Sequence, residues 1–411
     1  MNTIDSDPKT TSIIYAWNYI EWGGAQIYTL ALIREVKKFS NVLVVLPAGS
    51  SVELLQFLDE VEVDYEFFTP KIDLDPATTL RRKIQRHWRK LRSETALVNR
   101  LFKIGLQDSA VHADFLPQQS FIPLLRLCRR VHVFFTMHNA LEPMPPWREW
   151  IWAAKLKLLL RTGRFHIFCA NENAKSYLER FISDQAGNEI RVTRAGIDPD
   201  SIDRILKKGV DRIGLLDNIG IPRDSTIVLT VGQFIDRKGR WTLLDSIREI
   251  VSERPKTRFL WVMPFRPSPM DQQKIDSYGV GDYFKTILSA DIGSREDVLS
   301  FIRIADIYLL PSFVEGVPIS LLEAMALGVP SISTNVNGIP EAIEDAKTGL
   351  LIQPGEIEDL KRAVLRMVDD APLRNQLAHN GRSLVLSKFD ERKAAEIAVR
   401  EYRKIFARGL V

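Results

Sequence analysis

Cysteine and long apolar runs are scarce in this sequence, and both absences narrow the class of protein. Only Cys128 and Cys169 occur among the 411 residues, each in or beside an apolar stretch, which is typical of reduced thiols in a cytoplasmic protein. No run of about 18 apolar residues is present, so no membrane-spanning helix is expected. The polar and acidic residues 1–11 do not resemble a signal peptide. We therefore expect a cytoplasmic protein.

Motifs for metals and common cofactors are also lacking. Cysteine and histidine do not cluster as a zinc site requires, and no Walker phosphate loop is present. Gly279 and Gly281 lack the third glycine and the preceding strand of a dinucleotide motif. No repeat of about 20–50 residues is visible, which excludes a solenoid. The sequence predicts no cofactor and no metal site.

The positive charge of the chain is concentrated in one segment. The net charge is +4, yet residues 81–103 hold nine Lys and Arg against one acid, Glu94, which leaves 47 basic and 51 acidic residues elsewhere. An apolar stripe with helical spacing runs through the segment: Ile84, Trp88, Leu91, Val98 and Phe102. This pattern predicts a basic amphipathic helix.

Short β-branched runs alternate with helical patterns along the whole chain. The predicted strands are Ser12–Trp17, Asn41–Leu46, Val131–Met137, Phe165–Ala170, Thr226–Val231, Arg258–Met263, Thr286–Leu288, Asp306–Leu310 and Ser331–Thr334. Helices are predicted between them, for example over Ala25–Phe39 and Pro117–Cys128. Strands that are apolar on both faces indicate parallel sheets covered by helices, an α/β protein.

The length exceeds what a single core supports, so two domains are expected. The stretch Gly196–Ser225, rich in charge, glycine and proline, is the candidate hinge. The sequence predicts one domain over 1–200, a second over 201–389, and a final helix over 390–411 that packs back on the first domain.

The most informative stretch is Leu309–Gly338. It predicts a strand that ends at Pro311, a loop with Glu315, and a helix with Pro318 at its first position and Gly328 as its left-handed cap. The free N–H groups of this helix start would be those of Ile319 and Ser320, with Gly316 and Val317 just before. Such a terminus suits a phosphate.

Glu323 lies in this otherwise apolar helix, and its carboxylate is expected to point back toward the loop with Glu315. Two carboxylates beside a phosphate would each need a hydroxyl to hold, as sugars and ribose provide. Taken singly, either glutamate is equally well explained as an ordinary helix-surface or loop charge.

The two glutamates, separated by seven residues in the pattern Glu-Gly-x-Pro-x-x-Leu-Leu-Glu-Ala-Met-Ala, resemble the signature of glycosyltransferase family 4. Further stretches are similar to motifs of that family: Gly23-Gly24, Thr136-Met137-His138-Asn139, Arg194-Ala195-Gly196-Ile197-Asp198, Val231-Gly232-Gln233, Lys238-Gly239, Ala305-Asp306, Pro311-Ser312, Gly338-Ile339-Pro340-Glu341 and Gly349-Leu350-Leu351. The resemblance covers most of residues 12–389.

The resemblance implies the GT-B fold, in which two Rossmann-like domains face each other across a cleft, and a retaining transferase that works without a metal. The donor would be a UDP- or GDP-sugar and the acceptor a glycan or lipid-linked molecule of cell-envelope or exopolysaccharide synthesis. The implied catalytic residues are His138, Glu315 and Lys238. The implied donor-binding residues are Gly24, Gln233, Lys238, Glu315, Gly316, Val317, Ile319 and Glu323.

Each residue has an implied role. Glu315 would hold hydroxyls of the transferred sugar, and Glu323 those of the ribose. Lys238 would stabilise the leaving diphosphate. His138 would face the sugar, and Gly24 would let the backbone approach the phosphate or the acceptor.

Gln233 stands where the family usually has Arg, so the phosphate site loses a permanent cation. Arg237 or Arg240 could replace that charge. Two alternatives to transfer therefore remain open: a non-catalytic GT-B protein that binds a sugar nucleotide or a partner, and a GT-B sugar-nucleotide epimerase.

The basic helix over 81–103 has three interpretations: a solvated surface helix, a helix on an anionic membrane surface, or a nucleic-acid-binding helix. The last has no supporting motif, and no nucleic acid is expected as a partner. Residues 148–164 form another basic and apolar stretch with Trp150 and Trp152. We therefore expect peripheral attachment to the inner face of the membrane through these two segments.

Overall fold

The structure is a computed structural model that describes residues 11–18, 24–70, 79–139, 144–182 and 190–407. Gly23 and the acidic residues Asp73 and Asp75 lie outside the described residues. The chain divides into two compact units. The first takes the residues up to Arg194 together with those from Arg392 onward, and the second is Ala195–Glu391.

The described part of the first unit is built on a parallel sheet of seven strands in the order β3-β2-β1-β4-β5-β6-β7. Its strands are β1 (Ser12–Ala16), β2 (Asn41–Pro47), β3 (Asp64–Phe68), β4 (Ser109–Ala113), β5 (His132–Met137), β6 (Phe165–Cys169) and β7 (Arg191–Val192). Its helices are α1 (Gly24–Val36), α2 (Val52–Glu60), α3 (Leu80–Ile104), α4 (Phe121–Cys128), α5 (Pro146–Leu160) and α6 (Glu172–Glu179).

The described second unit has a parallel sheet of six strands in the order β10-β9-β8-β11-β12-β13. Its strands are β8 (Thr226–Val231), β9 (Thr257–Met263), β10 (Phe284–Leu288), β11 (Ile307–Leu310), β12 (Ser331–Thr334) and β13 (Leu350–Ile352). Its helices are α7 (Pro199–Lys208), α8 (Arg212–Asn218), α9 (Arg240–Glu253), α10 (Pro269–Ser277), α11 (Ser289–Ile292), α12 (Arg295–Arg303), α13 (Ile319–Ala326), α14 (Ile357–Asp369) and α15 (Ala371–Lys388).

The last helix, α16 (Glu391–Ala407), passes into the first unit from Arg392 onward. Tyr402 of α16 is fully buried there, with its ring against Phe134 of β5 and Phe168 of β6. Its hydroxyl lies 2.6 Å from Nδ1 of His112.

Both sheets are parallel and flanked by helices, which confirms the predicted α/β class. The prediction of a helix from Pro117 is wrong at its start. The N–H groups of Gln119 and Ser120 both donate to the carbonyl of Leu116 and form a separate turn. Helix α4 therefore begins only at Phe121. The candidate hinge Gly196–Ser225 contains two helices of the second unit, α7 and α8.

The basic amphipathic helix is confirmed as α3. The hydroxyl of Thr79 caps its start by accepting from the N–H of Arg82. Gly105, at φ 94, ends it. Among the described helices, none combines the length and the apolar character that a membrane-spanning segment needs.

Candidate active site in the second unit

The strand order of the second unit reverses between β8 and β11, which are neighbours in the sheet but not in sequence. In sheets of this kind, ligands bind beyond the carboxyl ends of the strands at the point of reversal. Two loops leave from this point, residues 232–239 after β8 and residues 311–318 after β11. They carry most of the site residues that the sequence predicted.

The two loops are fastened to each other. The N–H of Phe313 donates to the carbonyl of Arg237 at 2.8 Å, and the guanidinium of Arg237 donates to the carbonyl of Val314 at 2.9 Å. Gly239 has φ 73, and a Cβ there would lie 1.8 Å from the carbonyl oxygen of Pro311. The backbones approach so closely that only glycine fits this position.

This fastening brings Lys238 and Glu315 together. The Nζ of Lys238 lies 2.5 Å from Oε1 of Glu315, and the hydroxyl of Ser312 donates to the same oxygen at 2.9 Å. The side chains of Lys238 and Glu315 are only 12% and 7% exposed. The second carboxylate oxygen of Glu315 is 3.6 Å from the guanidinium of Arg237. The loop thus holds one buried carboxylate between two cations.

Of the two arginines suggested as replacements for the cation missing at Gln233, Arg237 is the one that faces this carboxylate. Arg240 is engaged elsewhere, at 2.9 Å from Asp236 and 3.0 Å from Asp271. Gln233 itself lies two residues beyond β8, and its carbonyl accepts from the N–H of Ile235.

Helix α13 begins at Ile319, so Pro318 is the residue before the helix and not its first residue as predicted. Pro318 keeps an extended backbone at ψ 125, and its carbonyl accepts the first bonds, from Leu321 and Leu322 at 3.1 and 3.2 Å. Proline has no polar side chain that could cap a helix start. The N–H groups of Ile319 and Ser320 come before the first helical hydrogen bonds, and Pro318 gives them no side-chain cap.

The residues around this helix start are packed tightly. Gly316, Val317 and Ile319 are buried, and a Cβ on Gly338 would lie 2.5 Å from the carbonyl oxygen of Gly316. Gly328 has the left-handed φ of 75 predicted for the cap at the other end.

Glu323 is buried in α13, with only 5% of the residue exposed. Its Oε1 pairs with the guanidinium of Arg295 at the start of α12, and its Oε2 is buried with no hydrogen-bond partner among the described residues. Burial raises the pKa of Glu323, and the charge of Arg295 lowers it by less. The site thus contains a buried carboxylate oxygen that could accept a hydrogen bond from a ligand.

Tyr308 of β11 is influenced by the charges of both glutamates. Its hydroxyl donates to the hydroxyl of Ser320 at 2.7 Å. Burial raises the pKa of Tyr308 strongly, and the charges of Glu323 and Glu315 raise it further. Both carboxylates are therefore close enough to act on the same buried phenol.

Gly24 and His138 lie in the first unit, not in this cluster. Gly24 begins α1, and the ring of Tyr28 in the next turn contacts the ring of His138 edge-on at 5.2 Å. The carbonyl of His138 accepts from the side chain of Asn171 at 2.7 Å. Burial lowers the pKa of His138 to about 4, so its ring is neutral at pH 7.

His112 has a structural role. It is buried, its Nδ1 lies 2.6 Å from the hydroxyl of Tyr402, and its Nε2 lies 2.9 Å from the hydroxyl of Thr136. Asp198 also has a structural role, since its carboxylate caps α7 by accepting from the N–H of Asp200. Among the described residues, no group of three or more His, Cys, Asp and Glu could hold a metal ion.

The sequence analysis missed Arg295 as a site residue. It stands 28 residues before Glu323, on another helix. The capping box of Ser294 and Asp297 marks the start of α12, but nothing local indicates that α12 meets α13. Ser312 was noted as part of a motif, and the structure gives it a contact with Glu315.

Comparison with known proteins shows what this chain is similar to. Residues 215–384 match the family model described as glycosyl transferases group 1. The chain is 25% identical over 242 residues to the capsular polysaccharide biosynthesis glycosyltransferase CapM of Staphylococcus aureus, covering 57% of this chain and 62% of CapM. It is also 25% identical over 255 residues to the UDP-Gal:alpha-D-GlcNAc-diphosphoundecaprenol alpha-1,3-galactosyltransferase of Escherichia coli, covering 62% of each. Curated relatives match over 46% to 62% of their own length, so the chain spans about half of them.

The crystal structure of HepE from Anabaena in complex with UDP-glucose is similar over nearly the whole chain. It has a TM-score of 0.70 at 17% identity, covering 96% of this chain and 99% of HepE. At this identity the likeness concerns the fold alone. Residues 215–384 of the second unit thus match the glycosyl transferases group 1 family, and the chain as a whole has the GT-B fold.

Proposed function

We propose that this protein is a retaining glycosyltransferase that moves a sugar from a UDP- or GDP-sugar to a glycan or lipid-linked acceptor of cell-envelope or exopolysaccharide synthesis. The observation that carries the proposal is the cluster of Lys238, Glu315 and Glu323 beyond the carboxyl ends of β8 and β11. It combines a cation, an uncapped helix start and two buried carboxylates. These are the groups needed to hold a diphosphate and several hydroxyls.

The donor would lie against the second unit. Lys238 and the N–H groups at Ile319 and Ser320 would take the diphosphate, and they would stabilise it most as its charge grows on leaving. The free oxygen of Glu323 would accept from a ribose hydroxyl. Glu315 would hold hydroxyls of the transferred sugar. In this proposal Lys238 supplies the positive charge at the leaving group, and no metal ion takes part.

Retention of configuration is proposed through substitution on the same face of the sugar. A covalent route would need a carboxylate free to attack the anomeric carbon. Glu315 is instead held by Lys238 and Ser312, which favours binding over attack. His138 and Gly24 of the first unit would serve the acceptor, with the neutral His138 ring as a hydrogen-bonding group.

The experiment that tests the proposal measures binding and slow hydrolysis across a panel of nucleotide sugars. The variants are Lys238→Ala and Glu323→Ala, with Lys256→Ala as the matched control, because Lys256 pairs with Asp224 and its side chain is 72% exposed. We expect one donor to bind and release nucleoside diphosphate, and both site variants to lose this. The absence of binding by the wild type to every donor would contradict the proposal and favour a partner-binding protein.

Product analysis separates the remaining alternatives. Transfer to an acceptor yields nucleoside diphosphate and a glycoside. An epimerase yields a new sugar nucleotide or sugar without any acceptor. A non-catalytic GT-B protein binds the donor and yields neither product.

We also propose that the protein is cytoplasmic and sits on the inner face of the membrane. Cys128 and Cys169 are free and buried, as expected of a reducing compartment. Several large apolar side chains of α3 and α5 are exposed: Ile84, Trp88, Trp147, Trp150, Ile151 and Leu158. Helix α4 packs against both of these helices, so α3 and α5 are near neighbours in the first unit. This composition suits anionic head groups.

A further inference from the structure

Arg295 and Glu323 form an ion pair between helices α12 and α13. Arg295 is the first residue of α12, and Glu323 lies in the second turn of α13. The Glu323 side chain is 7% exposed, whereas that of Arg295 is 40% exposed. The pair is thus buried on the carboxylate side and reaches solvent on the guanidinium side.

A carboxylate buried to this degree tends to bind a proton and become neutral unless a cation compensates its charge. Burial does raise the pKa of Glu323, and Arg295 is the group that opposes this effect, through its charge and its hydrogen bond. Because Arg295 occupies Oε1, the carboxylate is held with Oε2 free.

We propose that Arg295 is a positioning residue of the donor site, which keeps Glu323 ionised and turns its free oxygen toward the ribose hydroxyls of the donor. This inference rests on the proposed function, since it assigns a partner to the carboxylate that would hold the ribose. An ionised carboxylate accepts a stronger hydrogen bond than a neutral carboxyl group does. Arg295 thereby sets the donor affinity without touching the donor.

Other groups around Glu323 do not replace this cation. Tyr308 of β11 stays neutral, because its pKa lies well above the ordinary range. Glu315 in the preceding loop is negative and is held by Lys238. Arg382 of α15 donates to the carbonyl of Ala326 at the other end of α13. Among the described residues that pack on Glu323, Arg295 is therefore the cation that pairs with it.

The test begins with the ligand-free protein. Urea unfolding is measured for wild type, Arg295→Ala, Glu323→Gln and the double variant. If the pair exists in solution, the shift in unfolding midpoint of the double variant is smaller than the sum of the two single shifts. Additive shifts would overturn the inference without reference to any donor.

The second step measures the Kd of the donor that the wild type prefers, between pH 6 and 8.5. We expect Arg295→Ala to weaken binding about tenfold near neutral pH, as when a charged acceptor becomes neutral. Its affinity should recover as the pH rises, because the carboxyl group then ionises without help. Arg295→Lys should restore most of the affinity, and Glu323→Gln in the Arg295→Ala background should abolish the pH dependence.

Arg303→Ala, at the exposed end of the same helix, is the matched control and should bind like wild type. If wild type and Arg295→Ala bind the donor equally well at every pH, the positioning role is overturned and the proposed function is left intact. A wild type that binds no donor would overturn the proposed function and this role together.

Discussion

Lys238 and Glu315, which belong to loops after two different strands, form an ion pair with Nζ 2.5 Å from Oε1. The two side chains are almost fully buried, and Ser312 and Arg237 complete the surroundings of the carboxylate. The pair is therefore both a candidate catalytic element and a structural contact between the two loops.

Breaking this pair from the lysine side should cost stability as well as activity. Lys238→Ala leaves the buried Glu315 carboxylate with Arg237 at 3.6 Å as its remaining cation. We expect the free energy of unfolding to fall by about 3–5 kcal/mol, as for other buried pairs that lose one partner. Urea unfolding measures this.

Glu315→Gln is the companion variant, because it removes the charge and keeps the shape. It should lose transfer while costing less stability than Lys238→Ala. The exposed pair of Lys256 and Asp224 supplies the control, since Lys256→Ala should change stability by less than about 1 kcal/mol. Equal stability of Lys238→Ala and Lys256→Ala would show that the Lys238 pair contributes nothing to the fold.

Gly239 allows a second prediction, about the closeness of the two loops. Gly239→Ala would place a Cβ 1.8 Å from the carbonyl oxygen of Pro311, at a φ of 73. Either the loops must separate or the second unit must unfold, so we expect a marked loss of stability and of donor binding. Thermal unfolding and donor titration report the two effects.

Gly220→Ala is the matched control, because Gly220 has a similar φ of 67 with no atom within 4 Å of an added Cβ. It should cost only the strain of a positive φ, about 1–2 kcal/mol. If Gly239→Ala is no worse than Gly220→Ala, the tight contact with Pro311 does not exist in solution.

Much of this site could be predicted from the sequence, because its signals are local. The glutamate spacing, the glycine cap of α13 and the strand before the loop are all read within Leu309–Gly338. The helix start was misplaced by one residue, since proline suits both the first helical position and the position before it. The extended backbone of Pro318, at ψ 125, separates the two cases.

Contacts between distant elements could not be predicted in this way. Arg295 and Glu323 meet because α12 packs on α13, and neither sequence stretch carries a sign of that packing. Strand β3 was not predicted either: its residues Asp64–Phe68 include two acids, and its outer position in the sheet tolerates such polar side chains.

Three titratable groups of the first unit, the buried His112 and the half-buried His138 and Asp114, predict how stability changes with pH. Burial lowers the pKa of His112 to about 3 and that of His138 to about 4, from 6.5. Burial raises the pKa of Asp114 from 3.8 to about 7. Between pH 4 and 6.5 the unfolded chain binds protons at both histidines that the folded chain does not, so they make stability fall with falling pH. Asp114 acts in the opposite sense, because its folded form keeps a proton that the unfolded form loses.

Among these three groups the net difference is one proton, so together they should lower the free energy of unfolding of the first unit by about 1.4 kcal/mol for each pH unit between pH 6.5 and 4. Asp114→Asn removes the opposing group and should make this decrease about twice as steep. Urea unfolding at pH 7, 6 and 5 measures the slope. A slope that is unchanged in Asp114→Asn would mean that the carboxyl group has an ordinary pKa in the folded protein.

Vesicle binding tests the exposed side of the first unit. Trp88 is 60% and Trp150 73% exposed, although tryptophan is usually covered, and the exposed Arg82, Arg86 and Arg89 accompany Trp88 on α3. We expect the protein to co-sediment with anionic vesicles at low salt, more weakly as salt screens the arginines, and little with neutral vesicles.

Replacing Arg82, Arg86 and Arg89 by Glu should abolish vesicle binding. Combining Trp88→Ala with Trp150→Ala should weaken it by removing exposed apolar area. Met270→Ala, an equally exposed apolar residue of the second unit, should have no effect. If the wild type stays in the supernatant with anionic vesicles at low salt, α3 is a solvated surface helix.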